Sequence, residues 1–218
     1  NAPEKVMTNF DLEKFVDTSD EWIQSRTGIV QRHVVAKDEA SSDICTRIAS
    51  SLLEESQMSP DDLDLILVGT VTPDHFTPST AALVQKNIKA NNAWGYDLSA
   101  ACSGFLFGLE TGANFIASGR YKKVMVIGVD TMTSILDFQD RDTCVIFGDG
   151  GGGVILEPTS DGNGIVDSIL HMDGSGGDYL IVPGGGSRIP ATVESVEKRR
   201  HFIKQDGKTV FKYAVKGM

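Results

Sequence analysis

Cysteine is scarce in this 218-residue chain, and aromatic residues make up only 7% of it. The three cysteines, Cys45, Cys102 and Cys144, are an odd and widely spaced set, so neither a disulfide framework nor a CxxC metal site is available. Such usage fits a reducing, cytoplasmic compartment. Positive charge is also short: 20 Lys and Arg against 30 Asp and Glu leave a net charge of −10. That balance argues against nucleic acid as a main partner, because phosphate binding needs a dense basic face. A few local Arg and Lys remain for small anionic ligands. No apolar run reaches the ~18 residues that suggest a membrane span, and no charged-then-apolar leader opens the chain. Membrane insertion and secretion are therefore not expected. Tandem repeats of the solenoid kind are absent as well.

What the chain does have is glycine, 23 residues of it, gathered in short runs that read as tight turns and close backbone approaches. It also alternates strand-like and helix-like segments. Ile44, Ile48, Leu52 and Leu53 recur at helical spacing behind the capping residues Ser41, Ser42 and Asp43, and Ser59-Pro60-Asp61-Asp62 closes that helix. Leu65 to Val71 and Lys123 to Val129 are continuous apolar runs of strand length, suited to a parallel sheet covered on both faces. Between them, Ser79 to Ala90 reads as a helix and Ala93 to Leu98 as a strand. Ser103 to Ser118 reads as a helix with Leu106, Leu109, Ala113 and Ile116 inward. Cys144 to Phe147 and Gly153 to Leu156 read as two strands joined by the glycine run. This order predicts an α/β fold. A turn-rich junction follows Glu157-Pro158, placing a boundary between residues 1–157 and 158–218. Beyond it, Ile165 to Met172 reads as a strand, Asp173 to Ser187 as a loop, and Val210 to Met218 as the start of a helix.

The segment Asp97 to Phe105 holds the main chemical candidate. Small residues flank Cys102 where a strand gives way to a helix. A thiol there faces the positive end of the helix dipole, which favours the nucleophilic thiolate, and the following N–H groups are placed to hold an oxyanion. By composition alone, a cysteine among Ala and Ser reads first as a small core residue. Cys45 and Cys144 read as core. His75, in a Pro-flanked loop, is a weak candidate base.

Several segments together resemble the β-ketoacyl-acyl-carrier-protein synthase III family. They are Thr18 to Ile23 with Arg26 to Ile29, the loop Thr72 to Ser79, Asp97 to Phe105, and Phe147 to Gly150. The resemblance implies the five-layered thiolase-like αβαβα fold, its N-terminal half nearly complete and its C-terminal half only begun. It also implies acylation of Cys102 by an acyl-CoA, then decarboxylative condensation with malonyl-acyl carrier protein, the first condensation of fatty-acid synthesis. Thr18, Trp22, Arg26 and Arg141 match CoA contacts, Trp22 and Arg141 as a sandwich around the adenine. Unaided, Trp22 reads as a core-packing residue and Arg141 as a solvated loop charge. Thr77 stands where several members carry Phe, in a loop that the resemblance places at the partner subunit's acyl pocket, which predicts room for longer or branched primers, and Phe147 and Met132 are expected to line the same acyl channel. Acyl-CoA enters as a substrate; no metal or redox cofactor is implied. A homodimer is implied, with Lys123 to Val129 and the Thr72 to Ser79 loop as interface elements.

The family's catalytic His and Asn have no match here. The resemblance places them past residue 218 and a first strand before Asn1, so these residues alone are not expected to complete the condensation. Gly148 to Gly153 lacks the ending of a phosphate loop and is expected to pack backbone against Cys102. Related condensing reactions, of the hydroxymethylglutaryl-CoA synthase or polyketide-priming type, remain alternatives, as does a binding or dimerisation module.

Overall fold

The computed structural model describes residues 1–217, which form two compact units. The first comprises residues 1–4, 35–131 and 149–170; the second comprises residues 5–34, 132–148 and those from 171 onward.

The first unit contains helix α1 (Ser41–Glu55), strand β1 (Leu65–Gly69), helix α2 (Thr80–Ile88), strand β2 (Trp94–Leu98), helix α3 (Gly104–Ala117) and strands β3 (Val124–Thr131) and β4 (Asp149–Leu156). The sheet runs β2-β1-β3-β4, with the first three strands parallel and β4 antiparallel to β3. Successive side chains of a strand point to opposite faces. Ile66 and Val68 therefore join Met125, Ile127 and Val129 beneath α1 and α2, while Leu65, Leu67, Val124 and Val126 meet Phe105, Leu109 and Ile116 of α3. Every residue of β1 is buried, which explains its unbroken apolar run. Each such side chain contributes roughly 1.5–3 kcal/mol by leaving water.

Five expectations need correction here. Leu106 is 57% exposed; the buried residues of α3 are Gly104, Gly108 and Gly112. Glycine at every fourth position brings the helix axis close to the sheet, and the periodicity of large apolar residues does not report that. The run Gly150 to Gly153 does not join two strands but lies inside β4, paired with β3. There it packs against Ile48 and the β3 backbone: a Cβ on Gly151 would stand 2.7 Å from the Gly128 carbonyl oxygen and 3.0 Å from Ile48. Close packing against Cys102 is not what the glycines serve. β3 is paired on both sides, so it offers no edge to a second subunit; among the described residues the strands with an unpaired side are β2 and β4. Finally, residues 165–170 form no strand, and Val166 is 91% exposed.

In the second unit, Val6–Thr8 pairs antiparallel with Gln31–His33. A helix at Asp20–Thr27 starts at Ser19, whose hydroxyl accepts from the Trp22 N–H at 3.1 Å, and ends at Gly28 in the left-handed region, φ +72°. Leu12, Ile23, Cys144 and Val145 form its core. Arg32 is buried, and its guanidinium donates to the Met7 carbonyl, Asn9 Oδ1 and the Val145 carbonyl at 3.2, 2.8 and 3.2 Å. Cys144 ends a helical turn, Arg141–Cys144, rather than opening a strand, because Asp140 caps that turn by accepting from the Asp142 N–H. The expected loop at 173–187 holds a 3-10 helix, Gly174–Tyr179, and a short strand, Leu180–Ile181, paired with Lys204–Gln205. The last helix is Gly207–Gly217; Met218 lies outside the described residues.

Candidate active site

Cys102 sits in a one-turn 3-10 helix, Ala101–Ser103, between β2 and α3. The turn is sharp because two glycines let α3 start directly against the sheet. A Cβ on Gly69 would lie 2.6 Å from the carbonyl carbon of Gly104, and one on Gly104 would lie 3.2 Å from Gly69 Cα. The chain between β2 and α3 is pushed outward, and Ala101 takes φ +47°, a left-handed conformation that costs a non-glycine residue about 1–3 kcal/mol. Cys102 is exposed, whereas Cys45 and Cys144 are buried. No side-chain hydrogen bond from Ser103 caps the start of α3, which follows Cys102 directly after this turn.

The expected oxyanion donors are not free. Ser103 N–H donates to the Ala100 carbonyl at 3.1 Å, and Gly104 N–H donates to the Ala101 carbonyl. Both are spent in the turn that presents the thiol.

The loop carrying Thr77 joins β1 to α2. Thr77 and His75 are exposed, and no hydrogen bond connects His75 with Cys102 among the described residues. Three carboxylates hold this loop. Asp130 accepts from the Val71 N–H at 2.9 Å and from the hydroxyls of Thr70 and Thr72 at 3.1 and 3.0 Å. Asp74 accepts from the N–H and hydroxyl of Ser42, at 2.9 and 2.7 Å, at the start of α1. Asp97 accepts from the N–H groups of Thr80 and Ala81 at 2.7 and 2.8 Å. Burial first, then Asp97, Asp74 and Asp130, push the Cys45 thiol far above its ordinary range. Sequence reasoning missed these aspartates; the available signal was an acidic residue at or near the C-terminal end of a strand, as in Tyr96-Asp97-Leu98 and Val129-Asp130-Thr131.

The second unit brings Trp22 and Arg141 together: the guanidinium carbon lies 4.1 Å from the indole centroid. Trp22 also packs against the Leu12–Ile23–Cys144–Val145 core, so its core-packing and platform roles coexist. A ring sandwiched between indole and guanidinium needs roughly twice the ordinary stacking distance, so the pair here is closed on itself. Two polar atoms of this group, Thr18 Oγ1 and Arg141 Nε, are buried without a hydrogen-bond partner. Arg26 is exposed near the end of the same helix as Trp22, and Met132 and Phe147 are half-buried. Among the described residues, no group of three His, Cys, Asp or Glu side chains is arranged to hold a metal ion.

A mixed sheet with helices on both faces and an exposed thiol on a glycine-tightened strand-to-helix turn are what a thiolase-like fold presents, and solved thiolase-fold structures match the chain. Residues 96–174 match the family described as 3-oxoacyl-[acyl-carrier-protein] synthase III. The β-ketoacyl-[acyl-carrier-protein] synthase III of Chlorobaculum tepidum is 56% identical over 99% of this chain and 67% of its own length. The crystal structure of the corresponding Thermus thermophilus enzyme has a TM-score of 0.90 at 37% identity, covering all of this chain and 66% of that one. The priming β-ketosynthase of the R1128 polyketide pathway has a TM-score of 0.88 at 32% identity, covering 99% of this chain and 63% of that one. The chain belongs to the β-ketoacyl-acyl-carrier-protein synthase III family, and it spans about two thirds of the length of these relatives.

Proposed function

We propose that the protein accepts an acyl group from acyl-CoA on Cys102 and, within the whole enzyme, passes it to malonyl-acyl carrier protein. The observation that carries this reading is Cys102 itself, an exposed thiol at the uncapped start of α3. The Cys102 thiolate adds to the thioester carbonyl, and the resulting oxyanion collapses with loss of CoA thiolate, leaving acyl-Cys102. Malonyl-acyl carrier protein then loses carbon dioxide, and the electron pair of the broken C–C bond stays on the α-carbon. That carbon attacks the acyl-Cys102 carbonyl and expels the cysteine thiolate, giving β-ketoacyl-acyl carrier protein. Splitting the transfer in two holds the acyl group in place for the second partner.

Trp22 and Arg141 are the proposed adenine platform, with Thr18 and Arg26 as further CoA contacts; the unpartnered atoms of Thr18 and Arg141 favour a ligand there. Thr77, Met132 and Phe147 are the proposed acyl-pocket residues. A cytoplasmic homodimer completes the reading, supported by the outer side of β2, an unpaired edge among the described residues. Among the described residues, no helix is long and apolar enough to cross a membrane.

Incubation with acetyl-CoA or isobutyryl-CoA is expected to add one acyl mass to the protein by intact mass spectrometry, and Cys102→Ala is expected to abolish the adduct. An adduct that persists in that variant would sink the assignment. Trp22→Ala is expected to raise the acyl-CoA concentration for half-maximal acylation about tenfold, the scale of a lost stacking contact of 1–2 kcal/mol. Iodoacetamide labelling of Cys102 serves as its control, and an unchanged acyl-CoA dependence would remove Trp22 from the site. The second reading, polyketide priming, draws support from the R1128 likeness; the carrier protein that receives the acyl group separates the two.

A further inference from the structure

We propose that Asp97 is a positioning residue that sets which acyl-CoA primers the protein accepts, an inference that rests on acylation at Cys102. Two consecutive residues at the end of β2 hold both ends of the loop that carries Thr77. At its entry, the Leu98 carbonyl accepts from the Thr70 N–H at 3.1 Å. At its exit, the two carboxylate oxygens of Asp97 accept from Thr80 and Ala81, one each, at 2.7 and 2.8 Å. Only Ser99, Ala100 and Ala101 separate this pair of anchors from Cys102. The strand end that delivers the nucleophile thus also fixes the loop proposed to bound the acyl chain.

The chemistry of the anchor suits this role. A carboxylate facing two N–H groups at a helix start makes short, charge-assisted bonds that fix α2 in direction as well as distance. Ser79 caps the same helix independently, its hydroxyl accepting from the Ala82 N–H at 3.2 Å. Stability of α2 and placement of the loop on β2 are therefore separable: Ser79 serves the first alone, Asp97 both. An Asp97→Asn side chain keeps the shape but turns an NH2 toward one of the two N–H donors, so one anchor becomes a repulsion and the loop end shifts.

The test compares the unaltered protein, Asp97→Asn and Ser79→Ala, each checked by thermal unfolding. The reading is the ratio of Cys102 acylation rates with isobutyryl-CoA and acetyl-CoA. Asp97→Asn is expected to change that ratio by on the order of tenfold, since displacements near 1 Å alter rates on that scale or more. Ser79→Ala is expected to lower the melting temperature with the ratio unmoved. An equal ratio in all three proteins overturns the proposal, as does an equal change in both variants, which would make Asp97 a helix cap and nothing more. Iodoacetamide labelling of Cys102 runs beside it: a labelling loss in Asp97→Asn as large as the loss of both acylation rates means general disruption and also overturns the proposal. Absence of any acyl adduct on the unaltered protein contradicts the proposed function first and the Asp97 role with it.

Discussion

Treated with a small alkylating reagent under native conditions, the protein is expected to react at one cysteine of its three, Cys102. Reaction requires both access and thiolate, and the other two sites lack each. Cys45 is wholly buried between α1 and the sheet, and burial beside three aspartates pushes its thiol well above the usual range. Cys144 is wholly buried too, and its thiol is pushed up to about 11, by burial first and then by Asp140, despite the opposing charge of Arg32. At pH 8 a thiol of that kind is ionised to only about one part in a thousand. Its labelling is expected to rise roughly tenfold per pH unit up to that value. Mass spectrometry of the labelled protein, followed by peptide mapping, checks the result. Comparable labelling of Cys45 or Cys144 in the folded protein at pH 8 would contradict the burial on which the contrast rests.

Gly69→Ala is expected to be strongly damaging to the first unit. The new Cβ would lie 2.6 Å from the Gly104 carbonyl carbon and 2.9 Å from its oxygen, and both are main-chain atoms. No rotamer change relieves such a clash; either β1 or the start of α3 must move. Overpacking of this kind costs about 1–3 kcal/mol, and more where backbone meets backbone. The same movement would retract the turn that presents Cys102, so melting temperature and acylation should fall together. Gly177→Ala, where the added Cβ meets nothing within 4 Å, provides the contrast and is expected to change stability by less than about 0.5 kcal/mol. A Gly69→Ala protein with unchanged melting temperature would mean that the β1–α3 contact is looser than drawn here.

The apolar runs of β1 and β3 were legible in the sequence because burial on both faces leaves no polar residue to interrupt them. Helices α1 and α2 were legible through their spacing, although Asp43 and Asp74, rather than the serines, supply the acceptors at the start of α1. The reading failed where glycine carries the packing. On α3 the inward stripe has no side chains, so a search for large apolar residues selected Leu106 on the wrong face. In β4 a run of four glycines looked like a turn, because the close approach of Ile48 and β3 is a tertiary fact. Residues 165–170 carry β-branched residues without a strand partner among the described residues, and pattern alone cannot show that. The strand-to-helix setting of Cys102 was legible, whereas Trp22 and Arg141 were paired only through the family resemblance. Their direct contact was not legible, since nothing local links positions 119 residues apart.

That contact has a thermodynamic corollary for the proposed binding of CoA. With indole and guanidinium already satisfied by each other, a flat ring entering between them gains only the difference between the contacts it makes and the one it displaces. Apparent affinity is lowered by the fraction of molecules in which the pair is parted. The same contact re-forms when the ring leaves, offsetting part of the free energy of release. A platform that competes with its own ligand binds modestly and lets go readily, which suits the proposed release of CoA after each acyl transfer.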